Sequence, residues 1–349
     1  GQVMQDLCCR LHAARDLRVE DGPDARPAPD EALIRVSRGG ICGSDLHYYH
    51  DGGFGPVRVQ EPIILGHEAA GIVEAAPEGS GLVAGQIVAL CPSRPCGTCG
   101  FCRAGQTRHC LAMRFNGSAM RMPHEQGLFR SRIAHPVAQC LALPEGVGAG
   151  AAAWAEPLSV CLHALTLAPP LAGQRVLVTG AGPIGAICVA LARLRGAAGI
   201  VVTDVQDFTL DVARRMGADR VVNVAETPDA LADLAQGKGR IDIVLECSGN
   251  SHAIAQAIAA TRPQGSIVQI GVAGTIPLPL NLIVAKELRL LGSHRFDAEF
   301  AEAVAMIGAG QIELSPMVTQ VLPARDAVRA FDLAGDRSRA VKVHLDFEG

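Results

Sequence analysis

The chain has 349 residues, of which 49% are hydrophobic and 19% charged, and its formal net charge is −4. This length is enough for about two domains of ordinary size, and the mild negative charge argues against a nucleic-acid partner. With 39 Gly and 21 Pro residues, the composition is typical of a compact α/β protein with many turns.

The N-terminal stretch, GQVMQDLCCRLHAARD, carries charges where an export signal needs an apolar core. One nearly uncharged segment, residues 176–192, is interrupted by three glycines and a proline and is shorter than the roughly 20 residues of a membrane-spanning helix. Twelve cysteines are too few for a disulfide scaffold in a chain of this size. We therefore expect a cytoplasmic protein with reduced cysteines and no membrane partner.

Residues 1–152 contain short β-like runs such as ALIRVS, AAGIVEAA and QIVALC, separated by Gly, Pro and Asp turns. These runs predict a β-rich domain that carries loops. One loop, at about residues 91–112, contains four cysteines with the spacing C-x2-C-x2-C-x7-C, namely Cys96, Cys99, Cys102 and Cys110. In a reducing compartment this spacing indicates a structural zinc site of four thiolates, which leaves no ligand position open for a substrate.

From residue 153 the pattern changes to a helix followed by alternating strands and helices. The segments are RVLVTG, PIGAICVALARLRG, GIVVTD, DFTLDVARRMG, IDIVLEC, HAIAQAIAATRP, SIVQIG and LRLLGS. Continuous Val, Ile and Leu runs indicate strands buried on both faces, as in the parallel sheet of an α/β domain. After residue 291 the pattern is less regular. The predicted organisation is therefore a β-rich domain, 1–152, an α/β domain, 153–291, and a return of residues 292–349 to the first domain.

The sequence GAGPIG lies between a predicted strand and a predicted helix. Its candidate coenzyme-binding residues are Gly180, Gly182, Pro183, Ile184 and Gly185. G-x-G-x-x-G in this context predicts a dinucleotide-binding turn, with the pyrophosphate at the N-terminus of the helix. Asp204 ends the next predicted strand, where a carboxylate binds the adenosine ribose hydroxyls and would repel the 2′-phosphate of NADP. The sequence therefore favours NAD.

Four further residues stand out only in combination: Cys42, His67 and Glu68 in the β-rich part, and Glu156 near the domain junction. Each alone has an ordinary structural explanation. However, ICGSDLH, GHEAAG, the four-cysteine loop and GAGPIG, in this order, resemble the zinc-dependent medium-chain alcohol and polyol dehydrogenases over essentially the whole chain. The resemblance implies a GroES-like catalytic domain, a Rossmann coenzyme domain, zinc and NAD as cofactors, and a homodimer or homotetramer.

The resemblance also implies that Cys42 and His67 bind a catalytic zinc together with a glutamate. Alcohol dehydrogenases carry a second cysteine where this chain has Glu156, so the chain is more similar to the polyol branch. Whether Glu68 or Glu156 binds the metal stays open. One thiolate, one neutral imidazole and one carboxylate would leave zinc formally neutral with an open position, so that it could act as a Lewis acid.

The implied reaction is oxidation of a secondary alcohol with hydride transfer to nicotinamide. By resemblance, Ser44 and His47 pass on the proton, Tyr48 hydrogen-bonds near the metal, and Glu156 takes part in catalysis. The implied contacts of the nicotinamide half are Ile270, Gly271, Val272, His294, Arg295 and Phe296. Those of the substrate are Tyr48, Arg114, Phe115, His124 and Arg295. One departure is Thr209, where polyol relatives commonly carry Arg, so Phe208 offers a stacking surface for adenine instead.

Longer stretches, RGGICGSDLHYYHDG, MRFNGSAMRMPHEQGLF and GSHRFDAEF, resemble the part of the polyol branch that oxidises the sugar acid L-idonate at C5 to 5-keto-D-gluconate. A desolvated carboxylate requires a cation or several hydrogen-bond donors, and Arg114, Arg295 or His124 would supply it. Three alternatives stay open. They are a dehydrogenase of a neutral polyol such as sorbitol, xylitol or galactitol, a catalytically silent nucleotide-binding relative, and a zinc-finger-like binding module.

Overall fold

The computed structural model describes residues 6–227 and 229–349, which form two compact units. The first unit runs to Glu156 and includes Asp297–Asp336 and Lys342–Gly349, and the second comprises Pro157–Phe296 and Arg337–Val341. The predicted domain limits lie a few residues from these, and no sequence pattern indicated that Arg337–Val341 belongs to the second unit. The first five residues, part of the stretch considered for an export signal, lie outside the described ranges.

The strands in chain order are β1 Leu7–Ala13, β2 Asp16–Asp21, β3 Glu31–Gly40, β4 Gly53–Phe54, β5 Val57–Arg58, β6 Ile63–Ile64, β7 Glu68–Ala75, β8 Ile87–Leu90, β9 Ser93–Arg94, β10 Arg114–Phe115, β11 Arg132–Pro136, β12 Cys140–Ala142, β13 Arg175–Thr179, β14 Gly199–Asp204, β15 Arg220–Asn223, β16 Ile241–Glu246, β17 Thr261–Gln269, β18 Arg289–Gly292, β19 Val318–Pro323 and β20 Lys342–Asp346.

The α-helices are α1 Gly43–Asp51, α2 Gly100–Arg103, α3 Ala149–Ala152, α4 Ala155–Leu167, α5 Pro183–Leu194, α6 Asp207–Met216, α7 Ser251–Ala260, α8 Leu280–Ala285, α9 Glu299–Gly308 and α10 Ala327–Ala334. Short 3₁₀ helices span Thr107–His109, Val137–Gln139, Ala232–Lys238, Ser315–Met317 and Ala324–Asp326. None of the helices in the described ranges has the length and apolar character that crossing a bilayer requires.

The first unit contains a seven-stranded sheet of order β12-β8-β7-β3-β20-β19, in which β11 also pairs with β3. Further strands form the sheet β2-β1-β6 and the pairs β9-β10 and β4-β5. The side chains of a strand alternate between its two faces, and the run predicted for β3 accordingly buries Ala32, Ile34 and Val36 completely. Because β3 pairs with both β7 and β20, it joins distant parts of the chain in one sheet.

The second unit contains a parallel sheet of order β15-β14-β13-β16-β17-β18. Numbered within this unit, the order is 3-2-1-4-5-6, the doubly wound order of a Rossmann fold. The apolar run of β13 is buried throughout, with Val176, Leu177 and Val178 all 0% exposed, as expected for a central parallel strand. The predicted α/β class is confirmed.

Several elements differ from the sequence prediction. The pattern of HAIAQAIAATRP predicts one helix, but α7 ends at Ala260 and β17 begins at Thr261. Pro263 lacks the backbone donor that a helix interior needs, so the helix stops before it. Strand β15 and helix α8 were not predicted, and α1 was missed in the β-rich part because its nine residues are too few to show an apolar period.

Candidate active site

The N-terminus of α1 fixes the position of Cys42. Cys42 is the N-cap residue, in extended conformation, and its backbone N–H donates a hydrogen bond to Oδ2 of Asp45 at 2.9 Å. Asp45 is completely buried. A carboxylate three residues after the N-cap is half of a capping box. The same contact that begins the helix therefore also orients the backbone that carries the thiol.

The structure brings the four predicted catalytic-metal residues together in the first unit. The Sγ of Cys42, a ring nitrogen of His67 and a carboxylate oxygen of Glu68 lie within 4.8 Å of one another. Nε2 of His67 is 3.8 Å from Oε2 of Glu68 and 3.8 Å from Oε2 of Glu156. His67, Glu68 and Glu156 are buried. This group, called the metal-site cluster below, thus contains Cys42, His67, Glu68 and Glu156.

The metal-site cluster fits a zinc ion. Oε2 of Glu68 is buried and has no hydrogen-bond partner in the described part of the chain, which is costly for a carboxylate oxygen unless a cation meets it. Thiolate, imidazole and carboxylate are zinc ligands in catalytic sites. Nδ1 of His67 lies 3.6 Å from Oδ1 of Asp45, the kind of carboxylate that orients a metal-binding imidazole.

The electrostatics of the metal-site cluster also favour a cation. Burial disfavours the charged form of His67, but Asp45, Glu156 and Cys42 outweigh burial and hold the pKa of His67 well above its ordinary value. Burial raises the pKa of Glu156 to about 7, with the nearby His67 acting in the opposite direction and Glu68 in the same direction. Asp45, Glu156 and Cys42 thus all lie close to a single imidazole, that of His67.

Lys342, on β20, is a further residue of the site that the sequence does not predict. Its Nζ donates hydrogen bonds to Oε1 of Glu68 at 2.8 Å and to the carbonyl oxygen of Ile41 at 3.0 Å, and it lies 5.6 Å from the ring centroid of Trp154. No local pattern marks Lys342 as functional. The capping-box spacing of Asp45, by contrast, is a signal that the sequence does contain.

The other predicted residues near the metal occupy α1 and β10. The ring of Phe115 lies 5.7 Å from that of His67, centroid to centroid, so Phe115 borders the metal-site cluster. Tyr48 is 3% exposed and its hydroxyl accepts a hydrogen bond from the N–H of Ala119 at 3.0 Å. Ser44 is half-buried. The exposed His47 lies 3.6 Å from Asp51. The roles of Ser44, His47 and Tyr48 stay predictions.

Arg114 and His124 line a separate cavity of about 430 Å³, whose lining includes no member of the metal-site cluster. Arg114 donates two hydrogen bonds to Glu125, at 3.0 and 3.1 Å, and Nε2 of His124 accepts one from the N–H of Gln60 at 2.9 Å. We call this space the arginine cavity, after its lining residues Arg94, Arg114, Arg121 and Arg130. The structure thus does not bring Arg114 and His124 to the metal-site cluster.

In the second unit, GAGPIG forms the turn between β13 and α5. Gly180 has φ of +88°, and a Cβ on Gly185 would lie 1.8 Å from the carbonyl oxygen of Gly180. Gly182, the N-cap of α5, has open space where its Cβ would be. The first and third glycines are therefore required by the fold, whereas the second leaves the backbone accessible.

Asp204 lies at the end of β14, beside that turn. Its Oδ2 accepts hydrogen bonds from the N–H of Ala181 at 2.9 Å and from the hydroxyl of Thr209 at 2.8 Å. Thr209, the departure from polyol relatives, therefore orients the carboxylate. The predicted nicotinamide contacts Ile270, Gly271, Val272, His294, Arg295 and Phe296 follow β17 and β18, at the carboxyl edge where such sheets bind coenzymes.

The four-cysteine loop also has the geometry of a metal site. The Sγ atoms of Cys96, Cys99, Cys102 and Cys110 all lie within 4.8 Å of one another. Backbone N–H groups point at the sulfurs, including that of Cys96 to Cys110 at 3.2 Å and that of Cys99 to Cys96 at 3.3 Å. Hydrogen bonds to sulfur favour the thiolate, which is the form that binds zinc.

Known proteins resemble the chain along nearly its whole length. Residues 28–145 match the alcohol dehydrogenase GroES-like domain, and residues 183–309 match the zinc-binding dehydrogenase family. The L-idonate 5-dehydrogenase (NAD(P)(+)) of Escherichia coli K12 is 39% identical over 90% of this chain and 91% of its own. Sorbitol dehydrogenase of Gallus gallus is 34% identical over 98% and 96%. The crystal structure of the E. coli L-idonate 5-dehydrogenase superposes with a TM-score of 0.91, at 36% identity over 99% of both chains.

Proposed function

The chain belongs to the zinc-dependent alcohol and polyol dehydrogenase family, and from this premise we propose that it is an L-idonate 5-dehydrogenase that uses NAD. The substrate would be oxidised at its C5 hydroxyl to 5-keto-D-gluconate. The observation that carries the reaction class is the cluster of the half-buried Cys42 with the buried His67 and Glu68, in which one carboxylate oxygen lacks a partner in the described ranges. Its similarity to the E. coli enzyme supports the choice of substrate.

Each residue of the site has a distinct task in this reaction. When bound, zinc would act as a Lewis acid that favours loss of the hydroxyl proton near neutral pH. Cys42, His67 and one of the two glutamates would hold it. Asp45 orients the His67 ring, and the ring of Phe115 packs beside it.

The proton leaves by the route that the family resemblance implies. Ser44 receives it, and the exposed His47 passes it to solvent. Tyr48 uses its hydroxyl oxygen to accept a bond from Ala119, which leaves its O–H free to donate. In this scheme Tyr48 positions the substrate.

The coenzyme proposal rests on Asp204. Its carboxylate is oriented by a neutral hydroxyl, that of Thr209, and a 2′-phosphate would meet a like charge there. The E. coli relative is named for both NAD and NADP. The preference of this chain for NAD over NADP therefore needs its own measurement. We expect kcat/KM to be higher with NAD than with NADP, and Asp204→Ala to reduce the ratio. Equal values for the wild type would contradict the preference.

The substrate proposal needs a group that binds the sugar-acid carboxylate. Of the three candidates, Arg114 and His124 line the arginine cavity, so we retain Arg295, which follows β18. We expect Arg295→Gln to lower kcat/KM for L-idonate far more than for sorbitol. Equal losses on both substrates would remove the carboxylate role.

A neutral-polyol dehydrogenase is the second candidate, because sorbitol dehydrogenase is similar over 98% of this chain. The decisive experiment follows NADH absorbance with L-idonate, sorbitol, xylitol and galactitol as substrates. The highest kcat/KM for L-idonate supports the first proposal. The highest value for a neutral polyol would favour the second, and no turnover with any alcohol by the zinc-loaded protein would point to a catalytically silent relative.

We propose that the protein is a homodimer or homotetramer. Strand β18 is an edge of the parallel sheet. Leu290 on β18 is 39% exposed, and Leu280 and Val284 on α8, the helix that precedes it in the chain, are 64% and 71% exposed. An open strand edge with apolar neighbours is a template for pairing with another chain. Light scattering after size-exclusion chromatography should give a mass two or four times that of the 36.3 kDa chain. A monomer at micromolar concentration would contradict the proposal.

A further inference from the structure

The arginine cavity carries an excess of positive charge. Four arginines line it, Arg94, Arg114, Arg121 and Arg130, against two glutamates, Glu31 and Glu125. His135 also lines it, but burial lowers the pKa of His135 to about 4, so this ring is neutral at pH 7. The lining therefore has two more positive than negative charges.

Only part of this charge is neutralised by the protein. Glu125 is engaged by Arg114 through two hydrogen bonds. The side chains of Arg94 and Arg130 are both half-buried, and neither forms an ion pair within residues 6–227 and 229–349. Nε of Arg130 is buried without a hydrogen-bond partner, and burial lowers the pKa of Arg130 to about 10. Burying a guanidinium nitrogen without a partner, as at Nε of Arg130, is costly unless an anion lies nearby.

The arginine cavity is distinct from the metal-site cluster. Consecutive residues of a strand point to opposite faces. In β10, Phe115 contacts His67, whereas Arg114 lines the cavity. A ligand in the cavity would therefore lie behind β10 and would not contact the metal ligands.

We propose that the arginine cavity binds a phosphomonoester of sugar-phosphate size. A phosphomonoester carries close to two negative charges at pH 7, which matches the excess on the lining. Guanidinium groups bind phosphate oxygens with paired hydrogen bonds, and Arg94 and Arg130 have donors free for them. The volume of about 430 Å³ lies in the range of small-molecule sites and exceeds what a bare phosphate ion fills. This site is independent of the proposed dehydrogenase reaction.

Isothermal titration calorimetry of the full chain tests the proposal without any activity measurement. The probes are a hexose 6-phosphate, inorganic phosphate and the unphosphorylated hexose. We expect the hexose 6-phosphate to bind most tightly and the hexose not to bind. Inorganic phosphate binding as tightly as the ester would overturn the ester assignment. Absence of heat from both phosphates at millimolar concentration would overturn the site.

Variants of the lining arginines test whether the ligand binds in the arginine cavity. Arg94→Gln and Arg130→Gln should each weaken binding of the hexose 6-phosphate about tenfold, as expected for loss of a charge-assisted contact. The matched control is Arg26→Gln, which removes the same charge at a side chain 87% exposed and should leave binding unchanged. If Arg130→Gln does not fold, the affinity of Arg94→Gln for the hexose 6-phosphate tests the proposal by itself. Unchanged affinity in Arg94→Gln, or an equal loss in Arg26→Gln, would place the ligand elsewhere and refute the proposal.

Discussion

Lys342 and Glu68 form a completely buried ion pair, with Nζ of the lysine 2.8 Å from Oε1 of the glutamate and both side chains 1% exposed. The other oxygen of Glu68, Oε2, is directed at His67. Lysine is almost never fully buried unless it is paired. Lys342 therefore determines which oxygen of Glu68 is left for a metal.

Replacing the lysine should destabilise the fold strongly. Lys342→Met leaves the carboxylate of Glu68 buried without its cation, which costs about 3–5 kcal/mol when one partner of a buried pair is removed. Urea unfolding of the metal-free protein measures this. Lys238→Met, at an exposed lysine, is the control and should change the midpoint little. If the double variant Lys342→Met/Glu68→Gln is no more stable than Lys342→Met, the unpaired charge is not the cause.

Asp45 should raise the affinity of the metal-site cluster for zinc by orienting His67. Asp45→Asn keeps an oxygen that can accept from the N–H of Cys42 but removes the negative charge beside His67. Loss of such an orienting carboxylate lowers metal affinity about 10–100-fold. Dialysis against a zinc chelator, followed by metal analysis, should show earlier loss from Asp45→Asn than from Asp51→Asn, whose side chain is 65% exposed. Identical release curves would contradict the orienting role.

The two metal clusters should load independently. The structure holds two groups with metal-binding geometry, so we expect two zinc ions per chain. Cys102→Ser should leave one, with the metal-site cluster still occupied, and should make the four-cysteine loop sensitive to limited proteolysis. Cys247→Ser, outside both groups, is the control. A Cys102→Ser protein that retains its full metal content would refute the assignment.

Substitutions at two glycines of the dinucleotide turn should affect different properties, one the stability of the fold and the other the affinity for coenzyme. In Gly185→Ala the new methyl group would overlap the carbonyl oxygen of Gly180, so we expect a loss of about 1–3 kcal/mol in unfolding free energy. Gly182→Ala has open space and should keep its stability yet bind NADH more weakly, by fluorescence titration, because the methyl group lies where the pyrophosphate is expected. The proposal fails if Gly182→Ala binds NADH normally.

Asp297 should make stability depend on pH. Its carboxylate accepts hydrogen bonds from the hydroxyl of Thr107 at 2.9 Å and the N–H of Arg108 at 2.7 Å, and it pairs with the Arg108 side chain. Burial opposes the charged form, but these bonds outweigh it and lower the pKa of Asp297. The carboxylate is therefore the stabilising form. Its contribution is complete above the ordinary pKa of about 4 and is lost as the pH falls through the lower folded value.

Asp297→Asn tests this dependence. At pH 7 we expect the variant to be about 1–2 kcal/mol less stable than the wild type in urea. The difference should shrink as the pH falls below about 4. Asp24→Asn, at a side chain 86% exposed, should show no such trend. A difference between wild type and Asp297→Asn that does not vary with pH would rule out the carboxylate charge as its source.

The sequence by itself determined the features that depend on local spacing. The four cysteines lie within sixteen consecutive residues, 95–110, so one loop can gather them. The glycines of GAGPIG and the apolar runs on either side predict a turn between a buried strand and a helix. The unpredicted α1 and the misplaced end of α7 lie where short segments give weak periodicity.

Only the tertiary structure decided which distant groups meet. Gly40 on β3 is paired with Glu68 on one side and with His344 on the other, and a Cβ on Gly40 would lie 2.6 Å from Oε1 of Glu68. This register brings Lys342 to Glu68. It is a property of three strands from opposite ends of the chain, and no local pattern encodes it. The separation of Arg114 from Phe115 likewise follows from the pleat of β10, because neighbouring side chains on a strand face opposite sides.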